Sequence, residues 1–330
     1  MVVAIDLKLY VESWEMKDPI VVSRGTYSQA QLVVVELTRN GVIGRGECCP
    51  TAHYGESVDS VCEQIRGIRS ELQQDLSRQQ LLESLPPGAA RNGIDCALWD
   101  LECKEEGVSI WDKLGLQKPE RLATAMTVVL GETDKMAEKA REFQAFSTLK
   151  LKLGPLQNAQ NLRAVRAARP DARLSIDPNE GWTPELTQDL APVLDEVGIA
   201  LIEQPLPAAA DQPLENMALP APLCADESFH SSADLPQMHG RYRYVNIKLD
   251  KCGGLTEALN ILELAPKYDL IPMVGCMFGT SLAMAPALVV ASQCSFVDLD
   301  APLHFSEDRD DNYTIKNGEY LLNSSSVWGG

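Results

Sequence analysis

The stretch STLKLKLG, residues 147–154, decides how the rest of the chain is interpreted. Apolar and polar residues alternate in it with the period of a β-strand, so Lys150 and Lys152 are predicted to share one face of the strand. The intervening leucines then occupy the other face. A sheet protein usually keeps its core where these two like charges point, so the pair needs an explanation beyond packing.

Short strand-like segments of this kind recur along the chain from about residue 120. Eight short apolar segments end in polar residues, and one polar residue near each end recurs every 22 to 28 positions. A strand, a crossover helix and two loops need about 20 to 35 residues. We therefore predict an α/β fold, a (β/α) barrel of the TIM type over residues 116–300, with a doubly wound open sheet as the alternative. The segments are ATAMTVVL, STLKLKLG, ARLSIDP, IALIEQP, APLCADES, YRYVNIKLD, IPMVGCM and SFVDLD.

The first 115 residues differ, because strands come first and helices follow. The stretch AQLVVVELTRNGVIGRGE predicts a hairpin that turns at Asn40-Gly41. Helical periodicity then appears in ESVDSVCEQIRGIRSELQQ, SRQQLLESL and AARNGIDCALWDLECKEEG. Residues 1–115 are therefore predicted to form an α+β module of three strands and a few helices.

Composition and charge exclude several functions. The net charge of −18 is spread over 330 residues, which disfavours nucleic acid and anionic membranes as partners. The N-terminus lacks the basic region of a signal peptide, and the nine cysteines lack zinc spacing, so we predict a cytoplasmic protein with reduced thiols. The apolar stretch 273–292 is broken by Gly, Thr, Ser and Pro, and predicts a strand and a buried helix rather than a membrane span.

Charged residues lie near the C-terminal ends of most of the predicted barrel strands. Those ends carry the active site in barrels of this kind. A buried charge without a partner costs several kcal/mol, so repeated charges there are hard to explain by packing. Each residue alone could cap a helix or face solvent, but the repetition favours a site. The residues are Lys152, Asp177, Glu203, Asp226, Lys248 and Asp298.

The central three of these residues have the chemistry of a magnesium site. Asp177, Glu203 and Asp226 come from consecutive strands, about 4.8 Å apart, and offer only oxygen ligands. This donor set favours Mg²⁺, with Mn²⁺ as a substitute, over zinc. Lys152 and Lys248 lie on the two flanking strands, where each can act as acid or base on one face of a substrate carbon.

Lys150 answers the question that its stretch raises. Its charge, two residues before Lys152, is predicted to lower the proton affinity of that neighbour and to help hold a substrate carboxylate.

Several motifs resemble the muconate-lactonizing subgroup of the enolase superfamily. They are LKLKLG, SIDPNEGW, LIEQPLP, CADES, VNIKLDKCGG and DLDAPL, and their order covers essentially the whole chain. The resemblance implies an N-terminal α+β capping domain, residues 1–115, over a modified barrel, with residues 301–330 returning to the cap. It also implies the metal-binding and acid–base roles given above, and a contact between Lys150 and the substrate carboxylate. Asn179 and Asp250 are expected to support the site at most.

Within that subgroup the sequence is most similar to the dipeptide epimerases, in particular those that act on L-Ala-D/L-Glu. Asp298 and Asp300 share one side of the eighth strand and can accept the free α-ammonium of a dipeptide. The stretch SRGTYSQ resembles the family loop in which an arginine, here Arg24, meets the acidic substrate side chain. Thr127 and Cys276 occupy matching contact positions on strands one and seven.

Other functions stay open from the sequence. A cycloisomerase or an o-succinylbenzoate synthase of the same subgroup would keep the metal ligands and lysines while binding a different acid. A sugar-acid dehydratase would usually place a histidine at Lys248, and a metal-binding protein without turnover would not need the lysine pair. The expected partner is a small dipeptide, the expected pathway is peptidoglycan peptide recycling, and a homo-oligomer is compatible with the sequence.

Overall fold

The computed structural model describes residues 4–22 and 25–330. Its N-terminal part begins with an antiparallel sheet of strands β1 (Asp6–Val22), β2 (Gly25–Arg39) and β3 (Val42–Cys48). The predicted hairpin joins β2 to β3. Asn40 and Gly41 take φ values of 53° and 80°, the left-handed conformations that a tight two-residue turn between twisted strands requires.

The predicted helices follow the three strands and pack against the sheet. The helix that contains Gly93 packs closely on β3. A Cβ atom added at Gly46 would lie 2.0 Å from the carbonyl oxygen of Gly93. The sheet and this helix therefore need glycine at their contact. The helices are α1 (Val58–Gly67), α2 (Arg69–Leu72), α3 (Arg78–Ser84), α4 (Ala89–Glu106) and α5 (Ile110–Leu114), and strand β4 (Arg121–Ala123) follows them.

Eight strands of the described chain form the predicted parallel sheet, and they pair in chain order. The backbone N–H of Ala125, just before the first strand, donates to the carbonyl of Val297 in the last over 2.8 Å, so the sheet closes into a barrel and is not an open sheet. The strands are β5 (Met126–Val128), β6 (Thr148–Lys152), β7 (Arg173–Asp177), β8 (Ile199–Glu203), β9 (Leu223–Ala225), β10 (Tyr244–Ile247), β11 (Ile271–Gly275) and β12 (Val297–Asp298).

Helices connect most of these strands, with one departure from a regular strand–helix repeat. The crossover from β8 to β9 is made by 3₁₀ turns, Ala208–Ala210 and Gln212–Asn216, where the regular repeat predicts an α-helix. The apolar stretch 273–292 forms β11 and a buried helix, as predicted. The helices are α6 (Thr133–Glu142), α7 (Asn158–Ala168), α8 (Pro184–Val197), α9 (Leu235–Met238), α10 (Leu249–Cys252), α11 (Leu255–Leu264) and α12 (Ser281–Ala291). In the described chain, no helix combines the length and apolar character needed to cross a bilayer.

The last thirty residues contact both parts of the molecule. After helix α13 (Ala301–His304), strand β13 (Thr314–Lys316) pairs with β14 (Glu319–Leu321), and β14 pairs with β4. The indole N–H of Trp328 donates to the carbonyl of Cys96 in α4 over 2.9 Å. These contacts attach the C-terminus to the helical layer of the N-terminal part, while the division of the chain at residue 115 stays a prediction.

Candidate active site

Five neighbouring strands, β6 to β10, place the acid–base residues side by side. Lys152, Asp177 and Glu203 are the last residues of β6, β7 and β8, and the register pairs Lys152 directly with Asp177. Asp226 and Lys248 each follow the last residue of β9 and β10. The order around the barrel is therefore lysine, three carboxylates, lysine.

The three carboxylates form a compact buried cluster. One oxygen from each of Asp177, Glu203 and Asp226 lies within 4.8 Å of the others. Burial raises the pKa of Glu203 to about 7, against the lowering effect of Lys150 and Lys248, and the like charges of the two aspartates add to the rise. The pKa values of Asp177 and Asp226 lie below their usual range, since neighbouring lysines overcome the effect of burial. A gathered all-oxygen donor set of this kind fits Mg²⁺.

The two outer lysines each bind one outer carboxylate. Lys152 Nζ lies 2.6 Å from Asp177 Oδ2, and Lys248 Nζ lies 2.7 Å from Asp226 Oδ2. Burial disfavours the ammonium of Lys248, but the charges of Asp226 and Glu203 act against it, and the pKa of Lys248 lies above its usual range. The lysines thus bracket the carboxylate cluster, which is the arrangement that two-base chemistry requires.

Lys150 joins the cluster to the opposite side of the barrel. Its Nζ lies 3.0 Å from Asp177 Oδ2, 2.8 Å from Glu203 Oε2 and 2.8 Å from Asp298 Oδ2. Burial disfavours its charge, yet these three carboxylates raise the pKa of Lys150 well above its usual range. Lys150 is therefore a charged link between the carboxylate cluster and Asp298. Its predicted influence on Lys152 stays a prediction.

The remaining predicted contacts gather where β12 meets β5. Asp298 Oδ1 is buried and has no hydrogen-bond partner among the described residues. Asp300 Oδ2 accepts the backbone N–H of Thr127 over 2.7 Å and lies 3.0 Å from Nε2 of His304. The Sγ of Cys276 lies 3.4 Å from the carbonyl oxygen of Asp298. The structure thus brings together every predicted substrate-contact residue except Arg24, which lies outside the described residues.

Sequence reasoning missed several residues that hold the cluster in place. Asn246 Nδ2 donates to Glu203 Oε1 over 2.9 Å, and the ammonium of Lys251 contacts Asp226 Oδ1 at 2.5 Å. Asn246 stands two residues before Lys248 on the same strand, so strand alternation could have found it. Lys251 stands three residues after Lys248, one turn into α10, and that spacing was also a usable signal.

The N-terminal part closes over the rim of the barrel. Asp250 Oδ1 accepts the backbone N–H of Cys49 over 2.9 Å, which ties the segment after β3 to the strand end that bears Lys248. Nearby, the rings of Tyr54 and His230 meet edge to face at 4.8 Å. The N-terminal part therefore contacts the end of the barrel that carries the candidate site.

Two family profiles match the chain. Residues 4–115 match the mandelate racemase / muconate lactonizing enzyme N-terminal domain, and residues 132–325 match the enolase C-terminal domain-like family. The chain belongs to the enolase superfamily. The predicted resemblance and the predicted barrel are both confirmed.

Curated relatives of this superfamily member act on small amino-acid derivatives. It is 44% identical to L-Ala-D/L-Glu epimerase of Escherichia coli over 318 residues, which cover 96% of this chain and 99% of the relative. It is also 37% identical to N-acetyl-D-glutamate racemase of Pseudoalteromonas, over 91% of this chain and 95% of that protein.

Solved structures similar to this chain include dipeptide epimerases. An enolase family member from Agrobacterium tumefaciens, described as homologous to dipeptide epimerases and solved with sodium and L-Ala-L-Glu, superposes with a TM-score of 0.95. The two share 42% identity over 98% of this chain and 100% of that one. A dipeptide epimerase from Enterococcus faecalis, complexed with Mg and L-Leu-L-Tyr, has a TM-score of 0.91 at 26% identity, covering 99% of both chains.

Proposed function

We propose that this protein is a Mg²⁺-dependent dipeptide epimerase that inverts the α-carbon of the C-terminal residue of L-Ala-D/L-Glu. The observation that carries the proposal is the pair of lysines that bracket the carboxylate cluster, each 2.6 to 2.7 Å from an outer carboxylate. Two bases on opposite sides of one carbon are what an epimerase needs, because the proton leaves one face and returns to the other.

Each residue of the site has a role that follows from its position. Asp177, Glu203 and Asp226 would hold Mg²⁺, which would supply positive charge to stabilise the enediolate that forms when the α-proton leaves. Lys152 or Lys248 removes the α-proton, and the opposite lysine returns a proton. Lys150 contacts the substrate carboxylate.

The amino end of the substrate is held by a second group. Asp298 and Asp300 accept charge-assisted hydrogen bonds from the α-ammonium. Asp298 Oδ1 is the stronger candidate acceptor, because it is buried and has no hydrogen-bond partner among the described residues. We call Asp298 and Asp300 the amino anchor. Thr127 and Cys276 line the same end, and Arg24 is assigned to the acidic side chain by family resemblance alone.

A racemase of N-acetylated glutamate is the second candidate, because one relative with that activity is 37% identical. Such a substrate has no ammonium group. The two buried anchor carboxylates therefore favour the dipeptide, since a neutral amide offers neither of them the charge-assisted hydrogen bond that an ammonium group makes.

We place the reaction in the cytoplasm, within peptidoglycan peptide recycling. All nine cysteines are free thiols, seven of them buried, which suits a reducing compartment.

The deciding experiment follows the α-proton. The protein is incubated in D₂O with Mg²⁺ and either L-Ala-L-Glu, L-Ala-D-Glu or N-acetyl-L-glutamate, and products are separated by chirality and mass. We expect both dipeptides to gain one deuterium at the glutamate α-carbon and to interconvert, faster than N-acetylglutamate. Exchange with N-acetylglutamate alone would favour the racemase, and no exchange with any of the three would contradict both.

A further inference from the structure

The short helix α13 carries a histidine directly against the amino anchor. His304 lies one helical turn after Asp300, and its Nε2 is 3.0 Å from Asp300 Oδ2. The two side chains are only 13% and 8% exposed, so water screens their interaction weakly. No sequence motif had pointed to this residue.

The two anchor carboxylates therefore have different cationic neighbours. Asp298 has Lys150 at 2.8 Å, and the lysine stays charged at all physiological pH values. Asp300 has His304, and histidine is the side chain whose charge ordinarily changes near physiological pH. The net charge that the anchor offers to an incoming ammonium consequently depends on His304.

We propose that His304 is a positioning residue that holds Asp300 and sets the charge of the amino anchor, so that affinity for a free α-ammonium rises as His304 loses its proton. The proposal rests on the proposed dipeptide function. Above the transition the neutral ring can keep its contact by carrying the remaining hydrogen on Nε2, so orientation is preserved while negative charge returns to the anchor.

Electrostatics favour the charged form of His304. Burial disfavours the imidazolium, but Asp300, through charge and hydrogen bonding, outweighs it and raises the pKa of His304. Asp298 acts in the same direction, and Lys17 on β1 acts against it. For its part, Asp300 has its pKa lowered to about 2, because His304 and Thr127 overcome the effect of burial.

Backbone contacts fix the helix that carries the histidine. Lys17 Nζ donates to the carbonyl of Leu303 over 3.1 Å, and the N–H of Ser306 donates to the carbonyl of Glu15 over 2.8 Å. The segment around His304 is thereby attached to β1, so the ring has a defined place beside Asp300.

The test compares pH profiles of KM for L-Ala-L-Glu, with Mg²⁺, between pH 5.5 and 7.5. This range lies below the pKa of the dipeptide's own amino group, near 8. We expect KM of the wild type to fall about tenfold across the range, equivalent to about 1.4 kcal/mol. The His304→Gln variant, whose amide can still donate to Asp300, should show a flat KM, with kcat changing less than KM. His239→Gln, an exposed histidine on the barrel, should keep the wild-type profile.

Binding of N-acetyl-L-glutamate, measured as competitive inhibition, separates charge from simple structure. The inhibition constant of N-acetyl-L-glutamate should not fall with pH in either the wild type or His304→Gln, because this ligand has no ammonium group. A wild-type profile in His304→Gln, or equal losses for both ligands, would overturn the role of His304 while leaving the proposed function intact. Failure of the wild type to bind or turn over any dipeptide would instead overturn the proposed function and the anchor with it.

Discussion

The site has two halves: an acid–base half, formed by the carboxylate cluster and its lysines, and an amino-anchor half, formed by Asp298 and Asp300. The two halves are held in place in different ways. In the acid–base half, strands β6 to β10 deliver five charged residues in register, and each outer carboxylate has a lysine within 2.7 Å. In the amino-anchor half, Asp300 depends on a backbone N–H from β5 and on a histidine from α13. The first half is fixed by strand register, and the second by contacts between distant parts of the chain. A substitution should therefore abolish chemistry in the first half and change selectivity in the second.

The largest effect is expected from removing either outer lysine. Lys152→Ala and Lys248→Ala should each reduce epimerisation in both directions by at least about 10³-fold, because proton transfer to one face is lost. Each variant should still exchange the α-proton of a single stereoisomer in D₂O, measured by mass. Lys267→Ala, which removes an exposed lysine paired with Glu263, is the control. Epimerisation at the wild-type rate by either variant would contradict the two-base scheme.

The next effect concerns Lys150, which links the halves. Lys150→Met leaves three buried carboxylates without their shared cation, so the free energy of unfolding without Mg²⁺ should fall by about 3 kcal/mol. Added Mg²⁺ should stabilise the variant more than the wild type, since a cation among the carboxylates replaces part of the missing charge. Urea unfolding with and without MgCl₂ measures both quantities.

Lys104→Met is the matched control for that experiment. It removes a lysine 2.6 Å from a buried aspartate, Asp100, far from the barrel rim. Its stability should not respond to Mg²⁺ differently from the wild type. Equal Mg²⁺ effects in Lys150→Met and the wild type would mean that the ion does not bind at these carboxylates.

The same contrast explains how much the sequence could predict. The eight barrel strands and the three clustered carboxylates follow from local patterns, because alternation fixes which face each side chain takes. His304 could not be found that way. Its role depends on a helix placed by contacts with β1, nearly three hundred residues earlier in the chain. The 3₁₀ crossover after β8 was missed for a similar reason, since strand spacing alone does not specify the connecting structure.

A smaller, selective effect is expected in the anchor half. Asp298→Asn removes a carboxylate charge whose Oδ1 is buried and has no partner in the part of the chain that the structure describes. KM for L-Ala-L-Glu should therefore rise about 30-fold, equivalent to about 2 kcal/mol. Inhibition by N-acetyl-L-glutamate should change less than about threefold, because that ligand makes no charge-assisted contact there. The exposed Glu307→Gln serves as control. Equal losses for both ligands would remove the ammonium anchor from the proposal.

The smallest effect is expected at Asp250, which joins the end of β10 to the segment after β3. Burial raises the pKa of Asp250 to about 7, although the N–H of Cys49 and the amide of Asn92 both donate to its Oδ1 and oppose the shift. The unfolded chain should titrate this group near 3.9. Because the folded pKa is the higher one, the contribution of Asp250 to stability is full below about pH 4 and is lost as pH rises through about 7.

Asp250→Asn should therefore be more stable than the wild type at pH 8, by about 2 kcal/mol, with the gap closing below about pH 5. The amide oxygen keeps an acceptor for Cys49 and Asn92 while removing the buried charge. Urea unfolding at pH 5 and pH 8 measures the difference, with the exposed Asp189→Asn as control. A variant less stable than the wild type at pH 8 would show that the ionised carboxylate itself holds the two parts together. The acid–base half would then depend on long-range contacts as much as the anchor does.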